Sequence, residues 1–398
     1  MLGLLLVALL AARCGLPGDQ RDGAGGDRAS EAARAAEPLV ADVLDRRARA
    51  LQAGDATAWA AEVAATADPA YVERQAWVFT NLLQLPRRVA TWDVVAGSAR
   101  DEGGRVAVDV RRSLQVDGWD SAPVVTVARH TFVREDGAYR LVGDAEDAAP
   151  WDRGPVQVLR EGGALVVADA GDGRAAGLPG EVADAVAAVD GLVPFAWSAT
   201  AMVYALGSPE ALDRAAGVDD PSALDGVAFP VWTDPDGGGD VAALRVVLSP
   251  RVLDGSLGPG TRDRLLRHEL THVALGSRDD RVPVWLSEGV AEYVAVRGLP
   301  RSERVISRGA LDAAVRGDAA LPADDDFRGA VSGTSYGLAW YACEHVAAVY
   351  GAETLWQLLD SYAASPDEER DGVLTRTLGI DGAELADAAA ERIVATFG

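Results

Sequence analysis

Two histidines four residues apart, with a glutamate directly after the first, are the residues of this chain best suited to chemistry. They are His268, Glu269 and His272 in the segment RLLRHELTHVALG, and the chain has only 4 histidines among 398 residues. On a helix, side chains at positions i and i+4 project from the same face, one turn apart. Two neutral imidazoles at that separation can bind one zinc ion, and Glu269 can reach a water molecule beside the metal without binding the metal itself.

A catalytic zinc site needs a third protein ligand and an open fourth position. The segment DRVPVWLSEGVAEYVAVRG predicts a second helix that begins after Pro283 and ends at Gly298, and it carries Glu288 and, one turn later on the same face, Glu292. Two acids next to a histidine pair can have different roles at a metal site. One binds the metal, and the other accepts the free N–H of a ligating histidine and so fixes its tautomer.

The two segments together resemble the gluzincin (peptidase MA-like) zinc metallopeptidases, which include thermolysin-like proteases and zinc aminopeptidases. The resemblance rests on His-Glu-Leu-Thr-His followed by Trp-Leu-Ser-Glu-Gly. It implies Zn²⁺ as cofactor, with His268, His272 and Glu288 as ligands and Glu269 as the general base. It also implies that Glu292 is the acid paired with His268.

The same resemblance suggests one further catalytic residue, because zinc aminopeptidases use a tyrosine on a downstream helix to stabilise the tetrahedral oxyanion. The segment SGTSYGLAWYACEHV places Tyr336 near a helix start, with Tyr341 and His345 on the same helix. An O–H aimed at the developing charge contributes a few kcal/mol to transition-state stabilisation. The alternative is that Tyr336 only packs.

The elements that must position these residues are two helices and a sheet edge. Thr261 is a suitable N-cap and Gly276 a suitable stop for the first helix, whose broad apolar surface predicts burial. Peptide substrates of zincins usually add a strand to an exposed sheet edge. We expect that edge at GVAFPVW, residues 226–232, because Pro230 has no N–H to donate within a sheet.

Upstream of this region, a change of period predicts a separate α+β domain. Helical patterns run from Pro38, including one helix over Thr57–Ala67, and four period-two runs follow. Helices followed by a long-stranded antiparallel meander resemble the NTF2-like cone fold. We therefore expect an α+β chain with an NTF2-like domain over 38–149 and a gluzincin-like zinc peptidase domain over 150–398. A lone histidine in the third strand, His130, is expected to pack or to lie at the surface.

The N-terminus predicts export. Residues 1–14 hold an apolar run too short to span a bilayer comfortably, then Cys14, and they resemble a bacterial signal peptide with a lipoprotein signal. The alternative is an uncleaved apolar anchor. Residues 15–37 have no apolar periodicity and predict a flexible linker. We expect a cell-surface lipoprotein or a secreted protein, with possible membrane attachment through the N-terminus.

The net charge of the chain argues against one class of binding partner. A net charge of −24 argues against nucleic acid, which needs a basic patch. The sequence therefore predicts a zinc metallopeptidase that acts on a peptide or protein substrate, in an arrangement similar to that of a family of exported actinobacterial proteins. Two alternatives stay open. One is an exported ligand- or protein-binding module with a structural or inactive zinc site, and the other makes the first domain an inhibitory or folding prosegment.

Overall fold

The computed structural model describes residues 25–145, 149–208, 224–327, 332–365, 370 and 372–398 of the chain. These residues form a mixed α+β structure, which confirms the α+β character of the predicted fold. The predicted signal segment, residues 1–14, lies outside the described residues. Among the described helices, none combines the length and the apolar character that a membrane span requires.

The first sheet is antiparallel and curls into a half-barrel. In the described part of the chain, three helices precede it: α1 (Gly25–Ala53), α2 (Ala56–Ala61) and α3 (Pro69–Gln84). Its strands are β1 (Arg87–Val94), β2 (Arg100–Asp101), β3 (Val106–Val116), β4 (Val124–Glu135) and β5 (Ala138–Asp144). The order is β1-β3-β4-β5, with β2 paired to β3. The long-stranded meander predicted from the period of two is therefore present.

Helix α1 corrects one expectation. Residues 25–37, predicted as part of a flexible linker, are helical, because Ala33 and Ala36 pack into the core beside the first sheet. The Glu37 carboxylate also accepts hydrogen bonds from the backbone N–H groups of Gly97 and Ala99. Alanine is the strongest helix former, so a segment that looks featureless by apolar period can still extend a helix. The second helix is also shorter than predicted and ends at Ala61.

The second sheet mixes parallel and antiparallel strands. Its strands are β6 (Val156–Glu161), β7 (Ala164–Asp169), β8 (Ala201–Ala205), β9 (Gly226–Trp232) and β10 (Val241–Leu248). Their order is β6-β7-β8-β10-β9, with β7, β8 and β10 parallel. Strand β9 therefore lies at an edge, as predicted, and Pro230 is paired with Leu244 of β10.

The two sheets share an apolar core. One cluster of buried side chains joins Trp59 and Val78, before the predicted domain boundary, with Leu165, Met202 and Val247 beyond it. The turn between β3 and β4 also contacts the second sheet, where Ser121 donates to the Ala242 carbonyl at 2.7 Å through its hydroxyl. The chain before and after residue 150 is thus packed together.

Helices cover the other face of the second sheet. They are α4 (Leu178–Asp190), α5 (Pro250–Leu253), α6 (Pro259–Leu275), α7 (Val284–Val296), α8 (Arg308–Arg316), α9 (Ser332–Val349), α10 (Ala352–Ala364), α11 (Val373–Leu378) and α12 (Gly382–Phe397). Helices α7 and α9 approach very closely at Gly289. A Cβ there would lie 2.5 Å from the Ala339 carbonyl oxygen and 2.7 Å from Cys343 Sγ. Cys343 is buried, as predicted for a core residue.

Candidate metal centre

Helices α6 and α7 carry the predicted site residues. Helix α6 begins at Pro259 after Gly258, not with a cap at Thr261, because proline has the fixed φ of a first helical position and lacks the N–H that would stay unpaired there. It ends at Gly276, as predicted, where a φ of 58° favours glycine. Helix α7 follows Pro283, also as predicted. A 3-10 helix, Gly276–Arg281, joins the two.

The three predicted metal ligands meet at one point. The Nε2 atoms of His268 and His272 lie 3.3 Å apart. Glu288 Oε2 lies 3.2 Å from His268 Nε2 and 3.5 Å from His272 Nε2. In tetrahedral zinc sites with ligands at about 2.0–2.1 Å, neighbouring ligand atoms lie about 3.3 Å apart. The three atoms therefore have the spacing of one triangular face of a zinc tetrahedron.

This triad is distinguished from the chain's other acidic residues by its burial. His268 is 0% exposed, Glu288 1% and His272 4%. In the described part of the chain it is the one group of three or more His, Cys, Asp or Glu residues whose ligand atoms all lie within 4.8 Å of one another. Glu288 Oε2 and His268 Nδ1 also make no well-aligned hydrogen bond to a described residue. The nitrogen and oxygen donor set fits zinc.

Glu292 contacts the ring nitrogen of His268 that faces away from the other two ligands, as the resemblance implied. The Nδ1 atom of His268 lies 3.3 Å from Glu292 Oε1. Arg264, one turn earlier on α6, donates to the other oxygen of Glu292 from Nε at 2.9 Å and from Nη2 at 2.5 Å. Sequence reasoning missed Arg264, although its position four residues before His268 places it on the same helix face.

His272 has a carboxylate partner of its own, which sequence reasoning also missed. Its Nδ1 lies 3.0 Å from Oδ2 of Asp279, in the 3-10 helix between α6 and α7. The Ser287 hydroxyl donates to the same carboxylate. Because each Nδ1 faces a carboxylate, each Nε2 is directed at the centre with Glu288, the arrangement that fixes the tautomer of a metal-ligating histidine.

The pKa values follow from burial among opposite charges. Burial alone would lower the pKa of His268, but the neighbouring carboxylates of Glu288 and Glu292 outweigh it and raise that pKa to about 9. The pKa of His272 is also raised, because Asp279 and Glu288 outweigh burial. Burial would raise the pKa of Glu288 and Glu292, but His272, His268 and Arg264 outweigh it and lower both to about 2. The carboxylates are thus ionised, and a cation bound at Nε2 would replace protons.

Glu269 lies beside the triad against strand β9. Its side chain is 0% exposed, and a Cβ on Gly226 would lie 3.4 Å from its Oε1. Its two carboxylate oxygens make no well-aligned hydrogen bond to a described residue, although the backbone of Ala228 lies close by. Burial raises the pKa of Glu269 to about 7, partly opposed by the two histidines. A group with this pKa can both accept and release a proton near neutrality.

Tyr336 lies beside the site, whereas Tyr341 and His345, on the same helix, contact other residues. The Tyr336 ring lies 6.1 Å from the His268 ring, centre to centre, and is 5% exposed. On the same helix, the Tyr341 ring packs against Phe397 and the His345 ring lies near Tyr350. Of these three residues, Tyr336 is therefore the one whose ring lies beside His268.

A cleft of about 840 Å³ runs beside the centre. Its lining includes Arg264, Glu292 and Tyr336, but not His268, His272 or Glu288. The cleft therefore reaches the residues around the triad, while the triad itself lies one layer deeper.

Comparison with known proteins adds no family assignment. No protein-family model matches the chain, and a search of curated proteins found no match either.

Proposed function

We propose that this chain is a zinc-dependent metallopeptidase of the gluzincin type that hydrolyses peptide bonds in a peptide or protein substrate. The observation that carries the proposal is the spacing of 3.2–3.5 Å among the ligand atoms of His268, His272 and Glu288. It is supported by Glu269, a buried carboxylate beside them without a well-aligned hydrogen bond. A purely structural metal site has no need of that fourth group.

Zinc bound by His268, His272 and Glu288 would lower the pKa of a water molecule towards about 7 and polarise a carbonyl. The remaining steps belong to the protein. Glu269 takes a proton from the attacking water and later hands it to the leaving amine, for which its pKa of about 7 is suited. Glu292 and Asp279 hold the two imidazoles in the tautomer that leaves Nε2 free.

Two further elements act on the substrate in this proposal. Tyr336 donates a hydrogen bond to the tetrahedral oxyanion, supported by its place beside His268. Strand β9 pairs with the extended substrate, supported by its position at the sheet edge and by its closeness to Glu269.

We also propose the finer assignment of the two halves of the chain. Residues 38–149 form an NTF2-like unit, supported by the curled antiparallel sheet with helices against it. Residues 150–398 form a gluzincin-like unit. This assignment is supported by the two helices that carry the proposed ligands, which pack beside a sheet with strand β9 at its edge. Export as a lipoprotein or secreted protein remains our proposal from residues 1–14.

A second candidate function is an exported binding module with a structural zinc site. The observation that favours it is burial, because His268, Glu269, His272, Glu288 and Glu292 are each 4% exposed or less. Closed, fully liganded sites are typical of structural zinc, whereas catalytic zinc keeps an open position.

Metal analysis paired with a peptide-library cleavage assay tests the proposal. The wild type should hold one zinc per chain and cleave peptides. Glu288→Ala should lose the zinc, whereas Glu269→Gln should keep it and lose activity by about 10²-fold or more. Glu292→Ala is the matched control for Glu288→Ala, because it sits one turn along the same helix.

The outcomes separate the candidates. Zinc that is retained in Glu288→Ala but lost in Glu292→Ala would show that ligand and supporting acid are exchanged. Normal hydrolysis by Glu269→Gln would exclude the proposed base. Stoichiometric zinc with no cleavage of any library peptide by the wild type would favour the structural site.

A further inference from the structure

A second cavity, of about 280 Å³, lies between the two sheets and away from the metal centre. One wall comes from the first sheet, through Leu114 and Val116 of β3 and Val124 of β4. The opposite wall comes from the second sheet, through Tyr204 and Phe229. The cavity thus exists only because both halves of the chain pack together.

The walls are mainly apolar and aromatic. The rings of Trp151 and Tyr204 meet edge to face with centres 6.2 Å apart, and the rings of Tyr204 and Phe229 have centres 6.0 Å apart. A cavity of about 150 Å³ lined by apolar side chains binds benzene. A space nearly twice as large, beside three aromatic rings, suits a flat ligand of two fused rings.

The buried polar atoms of the described lining that lack a well-aligned hydrogen bond are all donors. Arg245 is 2% exposed and donates from Nη2 to Asp120, and the Tyr204 hydroxyl lies beside its guanidinium. Its Nε and Nη1 nonetheless make no well-aligned hydrogen bond to a described residue. The same holds for Nε and Nη2 of Arg153 and for Nε1 of Trp151. Every such buried polar atom on the described lining residues is therefore a donor.

Charge and hydrogen bonding select the ligand. Buried donors without acceptors are costly, and a ligand that supplies acceptors removes that cost. Of the three arginines in the described lining, Arg245 is ion-paired with Asp120 and Arg112 with Asp152, whereas Arg153 makes no ion pair with a described acid. A planar guanidinium binds a carboxylate through two parallel hydrogen bonds. The missing acceptors are thus best supplied by an anionic carboxylate.

We propose that this cavity is a binding site for a small aromatic carboxylate. The rings lie among Trp151, Tyr204 and Phe229, and the carboxylate accepts hydrogen bonds from Arg153 and Arg245. The site is independent of the proposed peptidase activity, because its residues and its ligand are different.

Calorimetric titration of the full chain with 2-naphthoate and with 2-naphthamide tests the site. The two probes have nearly the same shape and differ in charge. Naphthoate should bind at least about tenfold more tightly than naphthamide, because hydrogen bonds to a charged acceptor are stronger. Arg153→Gln should remove most of that preference. Arg88→Gln, at an arginine whose side chain is 68% exposed, is the matched control and should change neither affinity.

Two substitutions that fill the cavity locate the binding. Leu206→Trp and Val124→Phe should each abolish binding of both probes, and the second serves if the first fails to fold by circular dichroism. Binding that survives both fillings places the ligand elsewhere and overturns the proposal. Equal affinities for the two probes, or no binding of naphthoate to the wild type, overturn it as well.

Discussion

The Nδ1 atom of His272 lies 3.0 Å from Oδ2 of Asp279, a carboxylate in the short connection between the two helices that carry the candidate metal ligands. Its counterpart is the 3.3 Å contact of His268 Nδ1 with Glu292 Oε1. Each imidazole is thus fixed by a different acid, one from a helix and one from the connection. The connection therefore contributes to the geometry of the centre and does more than join two helices.

Asp279→Asn should weaken zinc binding without abolishing it. Loss of a carboxylate that supports a ligating histidine typically lowers metal affinity about 10–100-fold. Competition with a chromogenic chelator measures the dissociation constant. Asp280→Asn, the same change at the next residue, is the control and should have a much smaller effect. Equal effects of the two substitutions would show that general negative charge, not the contact with His272, matters.

Arg264→Gln should destabilise the metal-free protein. It removes one of the two partners of Glu292, which is 2% exposed, and leaves only the contact with His268, and a buried charge that loses a partner is costly. We expect a loss of about 2 kcal/mol in the free energy of unfolding, measured by urea denaturation with chelator present. Arg262→Gln, on the same helix, removes a more exposed pair with Glu181 and should cost less than about 1 kcal/mol. Equal losses would contradict the role given to burial.

Gly289→Ala should destabilise the packing of α7 against α9. The added methyl group would lie 2.5 Å from the Ala339 carbonyl oxygen, so the helices would have to separate. Overpacking of this kind costs about 1–3 kcal/mol, and it would also displace Glu288 on the preceding position. Gly260→Ala in α6, where nothing lies within 4 Å, is the helical control and should be neutral or slightly stabilising. Thermal unfolding measures both.

His130 should make the protein less stable in mild acid. Burial lowers the pKa of His130 to about 4; the nearby Asp144 opposes this shift and Arg47 adds to it. The Nδ1 atom of His130 makes no well-aligned hydrogen bond to a described residue. The ordinary value is about 6.5. Below about pH 6.5 the histidine binds a proton in the unfolded chain but not in the folded protein. The free energy of unfolding therefore falls as the pH is lowered from about 6.5 towards 4.

Comparison of wild type with His130→Gln isolates this contribution. The difference in unfolding free energy between the two should be constant above pH 7. It should shift by about 2 kcal/mol in favour of the variant near pH 4, less than the full pKa shift implies because the side chain is partly exposed. A difference that does not change with pH would contradict the shift.

The sequence predicted the ligand-bearing helices well, because their signals are local. Pro283 and Gly276 marked helix ends, and the i,i+4 spacing placed His268 beside His272. Pro230 likewise identified an edge strand from its missing N–H.

What could not be predicted depends on contacts between distant segments. The sequence does not distinguish Asp279 from Asp280 as the partner of His272, because the fold of the connection decides which one turns inwards. The role of Arg264 depended on where α7 places Glu292. The extension of α1 back to Gly25 depended on the sheet surface that buries Ala33 and Ala36. In Trp-Leu-Ser-Glu-Gly the glycine belongs to the motif, but the physical reason for a glycine there is the backbone of α9, fifty residues further along the chain.

The burial of the triad should determine how fast a bound metal ion exchanges with a chelator. With His268, His272 and Glu288 exposed by 4% or less, an ion held there can leave only when the surrounding helices open. Exchange with a chelator should then depend on the frequency of that opening and not on chelator concentration, once the chelator is in excess. Such a protein would keep its ion through long dialysis and release it quickly after mild denaturation.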